Sequence, residues 1–401
     1  MATREGGASR RLKVMHVATV AESLRLMLGN QMEAIQAAGY EVVAVSAPGP
    51  DAEDVRRRGI RVRHVPLSRR MDPKGDLVAL AALVRVIREE LPDIVHTHTP
   101  KASLLGQWAA MLVGVPVRVH TIHGLYFPGT MTARTRPLFV WMERLTMAPA
   151  HLSLSQNEED VATAKRERIA HPARVRLLGN GIDVRAFDPA LFPAARRAEI
   201  RRSLGLGPEH LVVGMVARLV VEKGYLEMFE AVKKIAAVEP RARFLFVGGL
   251  QPEKTDGLGA DALERAGIGH VAQLLGHRND VPALTSVMDV FALPSHREGV
   301  PRSPMEAAAM GVPSVATDIR GCRQVVVDGV TGLLVPVKDP AALADALLEL
   351  LRDPEKRKRM GAAAREKAAV DFDERRVFER VLRSYEELVG TRTGVASARD
   401  R

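Results

Sequence analysis

The 401-residue chain has one cysteine, Cys322. A single thiol excludes an internal disulfide framework and any cysteine-bound metal cluster, and it reads as a small packed residue rather than a nucleophile. Aromatic residues make up only 4%. With no recognition-helix or RNP-like pattern beside them, that argues against a nucleic-acid partner. No apolar run approaches the roughly 18–20 residues of a membrane span; the stretch 108–119 is short and broken by Gly114, Pro116 and Arg118. Residues 1–10 lack the apolar core of a signal peptide. The expectation is a cytoplasmic protein in a reducing compartment. No Walker loop and no Gly-x-Gly-x-x-Gly is present, which argues against an ATPase or a simple dehydrogenase. Asp371-Phe372-Asp373 is the one Asp-x-Asp, and it precedes a helical stretch for which Asp373 is a natural N-cap, so no metal site is expected.

What is present is an ordinary globular balance, 46% hydrophobic and 26% charged, in a chain long enough for two cores. The net charge of +10 is uneven: residues 1–200 hold 28 basic against 20 acidic side chains, and the remainder 30 against 28. A basic first half suits an anionic partner such as an acidic lipid or a diphosphate, or is simply a solvated surface. Basic stretches at Arg56–Arg63 and Arg69–Arg70 are candidates for peripheral contact with an anionic membrane.

Short apolar runs alternate with longer amphipathic stretches. Residues 13–19, 41–47, 61–66, 93–98, 116–122, 151–155 and 174–178 read as strands, with helical stretches such as 24–38, 77–90 and 103–113 between them. The pattern restarts with strands at 211–217, 243–248, 271–275, 290–294, 314–317 and 332–336, and helices at 223–238, 304–310 and 341–351. Such alternation implies two α/β domains, each with a parallel sheet covered on both faces. The expected division is a disordered 1–11, a first domain over 12–200, a second over 201–372, a capped helix at 373–389 and a disordered tail at 390–401, with a linker around 183–208.

Chemistry concentrates in the segment 290–311, VFALPSHREGVPRSPMEAAAMG. A strand ends at Pro294, a loop follows, and a helix begins. A loop and helix N-terminus after a parallel strand is where a phosphorylated ligand is expected. Glu298 in the loop and Glu306 in the first helical turn suit sugar hydroxyls. Gly299 frees backbone amides for a ligand. Ser303-Pro304-Met305-Glu306 also reads as a capping box, in which Glu306 would serve its own helix. In LVVGMVARLVVEKG, Arg218 and Lys223 follow a strand end, where two cations can neutralise a diphosphate or merely face solvent. Gly248-Gly249 ends another strand, as a close approach to a ligand or as a turn. His123, before Gly124 at a strand end of the first half, can position a sugar hydroxyl or be structural; the same holds for His96 and His98.

The ordered segments VARLVVEKG, FLFVGG, LGHRNDV, LPSHREGVPRSPMEAAAMGVPSVAT and GLLVPVKD resemble glycosyltransferase family 4, a retaining family. The resemblance spans about residues 12–389 and is strongest in the second domain. It implies a GT-B fold, two Rossmann-like domains with parallel sheets facing across a cleft. The first domain would bind acceptor, the second the nucleotide sugar, and the 373–389 helix would return to the first. Arg218 and Lys223 would hold the donor diphosphate, Glu298 would lie against the donor sugar, and Glu306 would bind the ribose. Gly248 and the amides of Gly299 and Val300 would meet the donor, with Pro301 beside them lacking an N–H. Arg278 falls in the loop that matches the family's base-binding loop. His123 matches a residue near the transferred sugar. Where many members carry a Gly-Gly loop after the first strand, this chain reads Ala18-Thr19-Val20-Ala21-Glu22-Ser23. In that respect it looks like a branch extending polyprenyl-diphosphate-linked sugars in bacterial envelope glycans. The implied activity is transfer of a hexosyl or N-acetylhexosaminyl group from a UDP-sugar to a polyprenyl-diphosphate-linked or other glycan acceptor. No cofactor or metal would be needed, and the enzyme would sit at the inner face of the cytoplasmic membrane. The alternative is a UDP-sugar 2-epimerase of GT-B-like fold.

Overall fold

The computed structural model describes residues 10–70, 72–125, 134–251 and 255–396. Its contacts divide into two compact units, residues 1–179 with 377–401, and residues 180–376. The first carries β1 (Lys13–Val20), β2 (Glu41–Ala47), β3 (Arg61–His64), β4 (Ile94–His98), β5 (Val117–Ile122), β6 (Leu152–Ser155) and β7 (Val175–Leu177). They form one sheet in the order β3-β2-β1-β4-β5-β6-β7, and every pairing is parallel. The middle six residues of β1 are all buried, as a strand covered on both faces requires. Alternate residues feed two cores. Val14 and Ala18 pack with Leu24, Leu28, Met32 and Ile35 of the helix Ala21–Ala37. Met15 and Val17 pack with Leu83 and Ile87 of the helix Pro73–Glu90 and with Ala102 and Ala109 of the helix Pro100–Val113. The buried positions of the helix Pro73–Glu90, Ala79, Leu83, Val86, Ile87 and Glu90, fall on one helical stripe.

The second unit carries β8 (Leu211–Val216), β9 (Ala242–Val247), β10 (Ala272–Leu274), β11 (Val290–Leu293), β12 (Ser314–Thr317) and β13 (Gly332–Val335). Their order is β10-β9-β8-β11-β12-β13, again parallel throughout. Along β9 the side chains alternate. Phe244 and Phe246 face the core containing Tyr225 and Phe229, while Leu245 and Val247 face the one containing Met305. The Tyr225, Phe229 and Phe246 rings lie 5.7–5.9 Å apart in tilted and edge-on contacts, the arrangement that aromatic quadrupoles favour.

Both sheets reverse direction beside their first strand, between β1 and β4 and between β8 and β11. In an open α/β sheet the crevice at that reversal, beyond the C-terminal strand ends, receives ligand.

The contact boundary falls at residues 179/180, not at 200/201. The stretch 183–208, expected as a linker, is part of the second unit: Phe187, Phe192 and Leu206 lie in its core, and Ala194–Ser203 is a helix. That helix buries none of its residues, so it carries no apolar periodicity to read. The last helix, Glu374–Ala396, runs past the expected limit at 389, and residues 1–9 and 397–401 lie outside the described residues. From Val377 onward this helix belongs to the first unit, where Val377, Val381 and Tyr385 are buried.

Replacing Tyr385 by Ala should remove about 3–5 kcal/mol from the first unit, as for other large buried side chains. Both tryptophans, Trp108 and Trp141, lie in that unit, so urea unfolding followed by their fluorescence reads it selectively. A wild-type midpoint in Y385A would contradict the packing described.

Candidate active site

The second unit's reversal point is built by two close backbone approaches. After β8, Val221–Lys223 forms a single 3-10 turn, and Gly224 follows with φ +78°. A Cβ at Gly224 would overlap the carbonyl oxygen of Pro294, at the end of β11. A Cβ at Gly248, after β9, would overlap the carbonyl of Ala217. The Tyr225 hydroxyl donates to that same Ala217 carbonyl at 2.8 Å. Glycine lets the loops after β8, β9 and β11 converge here.

Convergence brings Lys223 to Glu298. The Lys223 ammonium donates to Glu298 Oε1 at 2.6 Å, and the Ser295 hydroxyl donates to the same oxygen at 2.7 Å. Thr317, at the end of β12, donates to the Ser295 carbonyl at 2.5 Å. Lys223 and Glu298 are 16% and 11% exposed, buried enough to hold one geometry and open enough to meet a ligand. Glu298 Oε2 has no hydrogen-bond partner among the described residues. The flanks are held too: the His296 amide donates to the Glu222 carbonyl at 2.9 Å, and Arg297 pairs with the Glu222 carboxylate at 2.9 Å. Gly321 lies under the Glu298 and Gly299 carbonyls, where a Cβ would overlap both. The Asn180 side-chain amide, Nδ2, donates to the Val300 carbonyl at 2.9 Å. Arg218 is exposed and its guanidinium makes no hydrogen bond among the described residues.

The helix Arg302–Ala309 begins after Pro301, with no side chain capping it. Ser303 lies inside the helix, so the capping-box reading does not hold and Glu306 is not its partner. The Glu306 carboxylate makes no hydrogen bond among the described residues. Burial raises its pKa, and the positive Arg302 opposes that shift. An uncapped helix N-terminus, two cations and two carboxylates together can take an anion that carries hydroxyls. Arg278 is not drawn into this set: it is exposed and pairs with Asp280 at 2.6 Å. Its loop does adjoin the site, since the Gly248 amide donates to the Gly276 carbonyl at 2.8 Å.

At the first unit's reversal point, β1 runs straight into the helix Ala21–Ala37 with no intervening glycine loop. Thr99, before Pro100, has φ +67°, and its hydroxyl accepts from the Thr19 amide at 3.1 Å. Five histidines gather here: His16 on β1, His96 and His98 on β4, His120 on β5 and His123 just beyond it. His16 Nδ1 lies 3.0 Å from His98 Nε2, and His98 Nδ1 lies 3.2 Å from His123 Nε2. His96 meets the Tyr385 hydroxyl at 2.5 Å and the Thr121 hydroxyl at 2.7 Å. Burial pushes His16 and His120 down to about 3 and His123 to about 4, and holds His96 and His98 well below the ordinary range. All five are neutral at pH 7.

His16, His96 and His98 each bring a nitrogen within 4.8 Å of the others. They do not fit a metal. Both His96 nitrogens already have hydroxyl partners, His16 and His98 bond to each other, and among the described residues no carboxylate joins the group to offset a buried dication. Asp373 accepts from the Arg375 amide and guanidinium, so the Asp-x-Asp is accounted for structurally.

Ser295, Thr317, Tyr225 and Thr99 were not singled out from the sequence. Only the pre-proline position of Thr99 carried a signal, and it was a weak one. No described helix is long and apolar enough to cross a membrane.

Two parallel-sheet α/β units, the second with cations and carboxylates gathered at its reversal point, are the setting in which the comparisons with known proteins are read. A family model described as "Glycosyl transferases group 1" matches residues 196–367, and one described as "Glycosyl transferase 4-like domain" matches residues 25–181. The UDP-Gal:alpha-D-GlcNAc-diphosphoundecaprenol alpha-1,3-galactosyltransferase of Escherichia coli is 31% identical over 297 residues, 73% of this chain and 76% of that protein. The capsular polysaccharide biosynthesis glycosyltransferase CapM of Staphylococcus aureus is 27% identical over 383 residues, 93% of this chain and 96% of that one. The crystal structure of Anabaena Alr3699/HepE with UDP and glucose superposes with a TM-score of 0.79 at 20% identity, over 94% of this chain and 100% of that chain. That last likeness supports the GT-B fold. The chain belongs to the group 1 glycosyltransferases, with a first domain of the glycosyltransferase 4-like family.

The neutral histidines make the first unit sensitive to acid. Unfolded, each protonates near pH 6.5; folded, His16 and His120 protonate only near 3. The unfolded chain therefore binds more protons as pH falls below 6.5, and stability falls with it. Each of the two should cost about 2 kcal/mol between pH 8 and pH 5. Urea unfolding read by tryptophan fluorescence at both pH values measures the fall, which should shrink by about 2 kcal/mol in H120Q. An unchanged fall in H120Q would remove His120 from this account.

Proposed function

We propose that this glycosyltransferase moves a hexosyl or N-acetylhexosaminyl group from a UDP-sugar to a hydroxyl of an undecaprenyl-diphosphate-linked glycan in bacterial envelope polysaccharide synthesis, with retention at the anomeric carbon. The observation that carries the reading is the Lys223–Glu298–Ser295 cluster beside an uncapped helix N-terminus, with Arg218 making no hydrogen bond among the described residues. The Escherichia coli relative, by its name, uses UDP-Gal and a diphosphoundecaprenol-linked sugar, which supports both substrate classes.

In this reading Arg218, Lys223 and the helix N-terminus take the diphosphate. Glu298, held through Oε1, offers Oε2 to the donor sugar, Glu306 binds the ribose, and the amides of Gly299 and Val300 meet sugar hydroxyls. Gly248 allows the nucleotide close to the sheet edge. His123, which the resemblance sets near the transferred sugar, has Nε2 against His98 and Nδ1 buried, so neither ring nitrogen faces a ligand in this structure. The bond from the anomeric carbon to the diphosphate oxygen breaks while the acceptor oxygen bonds that carbon on the same face, and the departing oxygen takes the acceptor's proton. The two cations and the helix dipole stabilise the negative charge that develops on the diphosphate. The chain's own cations can supply that stabilisation without a metal.

The enzyme works, on this proposal, peripherally at the cytoplasmic face of the membrane. Arg56, Arg57, Arg58, Arg61 and Arg63 are less suited to docking than the sequence suggests, since each pairs with an acidic side chain. The exposed Leu77 and Val78 follow Lys74 on the helix Pro73–Glu90, and Leu138 and Trp141 are exposed on the helix Arg136–Met147. These make better contacts with an interface. Flotation with anionic liposomes at low salt should recover the protein, and recovery should drop in L77D/V78D; failure of the unaltered protein to float would exclude direct docking.

UDP release from a panel of UDP-, GDP- and ADP-sugars, with and without a polyprenyl-diphosphate-linked acceptor and with EDTA, tests the reaction. Acceptor-dependent, EDTA-insensitive release from a UDP-sugar is expected. Conversion of a donor to its isomer without acceptor would mean a 2-epimerase instead. R218A and K223A should each lower turnover about 10²–10³-fold, and wild-type turnover in either would remove that residue from the diphosphate site.

A further inference from the structure

The loop between β11 and the helix Arg302–Ala309 carries Glu298 and the amides of Gly299 and Val300, yet it has no regular secondary structure of its own. Three consecutive residues tie it to the segment after β8. The His296 amide donates to the Glu222 carbonyl, Arg297 pairs with the Glu222 carboxylate, and Glu298 accepts from Lys223. Those links end on the turn Val221–Lys223. The His296 side chain reaches further. Its Nε2 lies 2.9 Å from Glu227 Oε1, with the two side chains 20% and 15% exposed. A carboxylate only accepts, so His296 Nε2 is the donor.

Glu227 stands in the first turn of the helix Tyr225–Val238. A glutamate at the third position of a helix commonly reaches back to the N-cap amide. Here that amide, on Gly224, donates to the Val221 carbonyl instead, and Glu227 turns to His296. Its Oε2 is buried with no hydrogen-bond partner among the described residues. A bare buried carboxylate oxygen is unfavourable, so packing alone does not account for an acid at this place. The helix itself is firmly seated: Met228, Phe229, Val232 and Ile235 lie in the core. The pair therefore fastens a loop to an element that cannot shift without disturbing close-packed side chains.

We propose that His296 and Glu227 are a positioning pair for sugar transfer: they hold the Glu298 loop in place independently of Lys223. The inference rests on the reading in which Lys223 takes the diphosphate and Glu298 the donor sugar. Lys223 has three N–H donors and uses one on Glu298. As the diphosphate departs its negative charge grows, and Lys223 is drawn toward it. Glu298, paired with Lys223, would follow and leave the sugar unless its loop were anchored elsewhere. Ser295 holds the carboxylate within the loop; the His296–Glu227 bond holds the loop to the helix. Neither residue needs to touch a substrate. Misplacing a reacting group by about 1 Å can slow a reaction ~100-fold, so a modest loosening of the loop shows in kcat. UDP, which carries no sugar, is indifferent to it.

Transfer kinetics with the active UDP-sugar, and calorimetric titration with UDP, test this on the full-length chain. The leucine variants H296L and E227L cannot form the bond. In H296Q an amide N–H can still donate to Glu227, and in E227Q an amide oxygen can still accept from His296. In H296L and E227L kcat should fall about tenfold, while the Kd for UDP stays within about threefold of the unaltered protein. Retained UDP binding shows that these variants keep a folded site. Both glutamine variants should recover most of kcat. The double variant H296L/E227L should fall no further than the more impaired single one, as for two residues that act through one bond. Unaltered kcat in H296L overturns the proposal. So does a loss of UDP affinity as large as the loss of kcat, which would make the pair merely structural, and so do additive losses in the double variant. K223A separates the inference from the reading beneath it. Wild-type turnover in K223A sinks that reading and the inference with it, whereas an impaired K223A beside an unimpaired H296L sinks the inference alone.

Discussion

The second unit depends on one steric permission. The loop after β8 can lie against the end of β11 only because residue 224 has no side chain, in a backbone conformation that L-residues resist. That approach sets Lys223 against Glu298, which in turn orders Ser295 and, through its carbonyl, Thr317. A larger residue at 224 would separate the loops and leave a half-buried cation and a half-buried carboxylate without their partners. The charged chemistry of the unit therefore rests on a glycine that carries none.

How much of this was legible in the sequence follows from where the information sits. The thirteen strands could be read because buried parallel strands are continuous apolar runs bounded by polar turns. The helix Ala194–Ser203 could not, since it buries no residue and looks like solvated chain. Glu298, Lys223 and Arg218 could be picked out by residue type and by position after a strand. Ser295 and Thr317 could not, because their link joins neighbouring strands 22 residues apart and a serine after a strand is unremarkable in itself. The capping-box pattern at Ser303–Glu306 was a false signal. Pro301 starts the helix earlier than Pro304 suggests, which moves Ser303 inside it.

The histidines show the same limit differently. His96, His98 and His123 were each noticed as residues at strand ends, and each had an ordinary structural reading. Their meaning comes from register: His16 lies opposite His96 across β1 and β4, and His98 opposite Thr121 across β4 and β5. Pairings so far apart along the chain place four imidazoles and a tyrosine hydroxyl on one face of a sheet. No single segment of sequence contains that fact.

The two reversal points thus solve different problems with the same topology. The second presents fixed charge, held by neighbours but left, among the described residues, with unfilled valences at Arg218, Glu298 and the helix N-terminus. The first buries its histidines until they are neutral and links them ring to ring rather than by charge. Fixed charge serves where a ligand is itself charged, and it weakens as salt screens it. Buried neutral imidazoles instead hold their neighbours through hydrogen bonds that salt does not screen and that protonation disrupts only in acid, well below the ordinary histidine range.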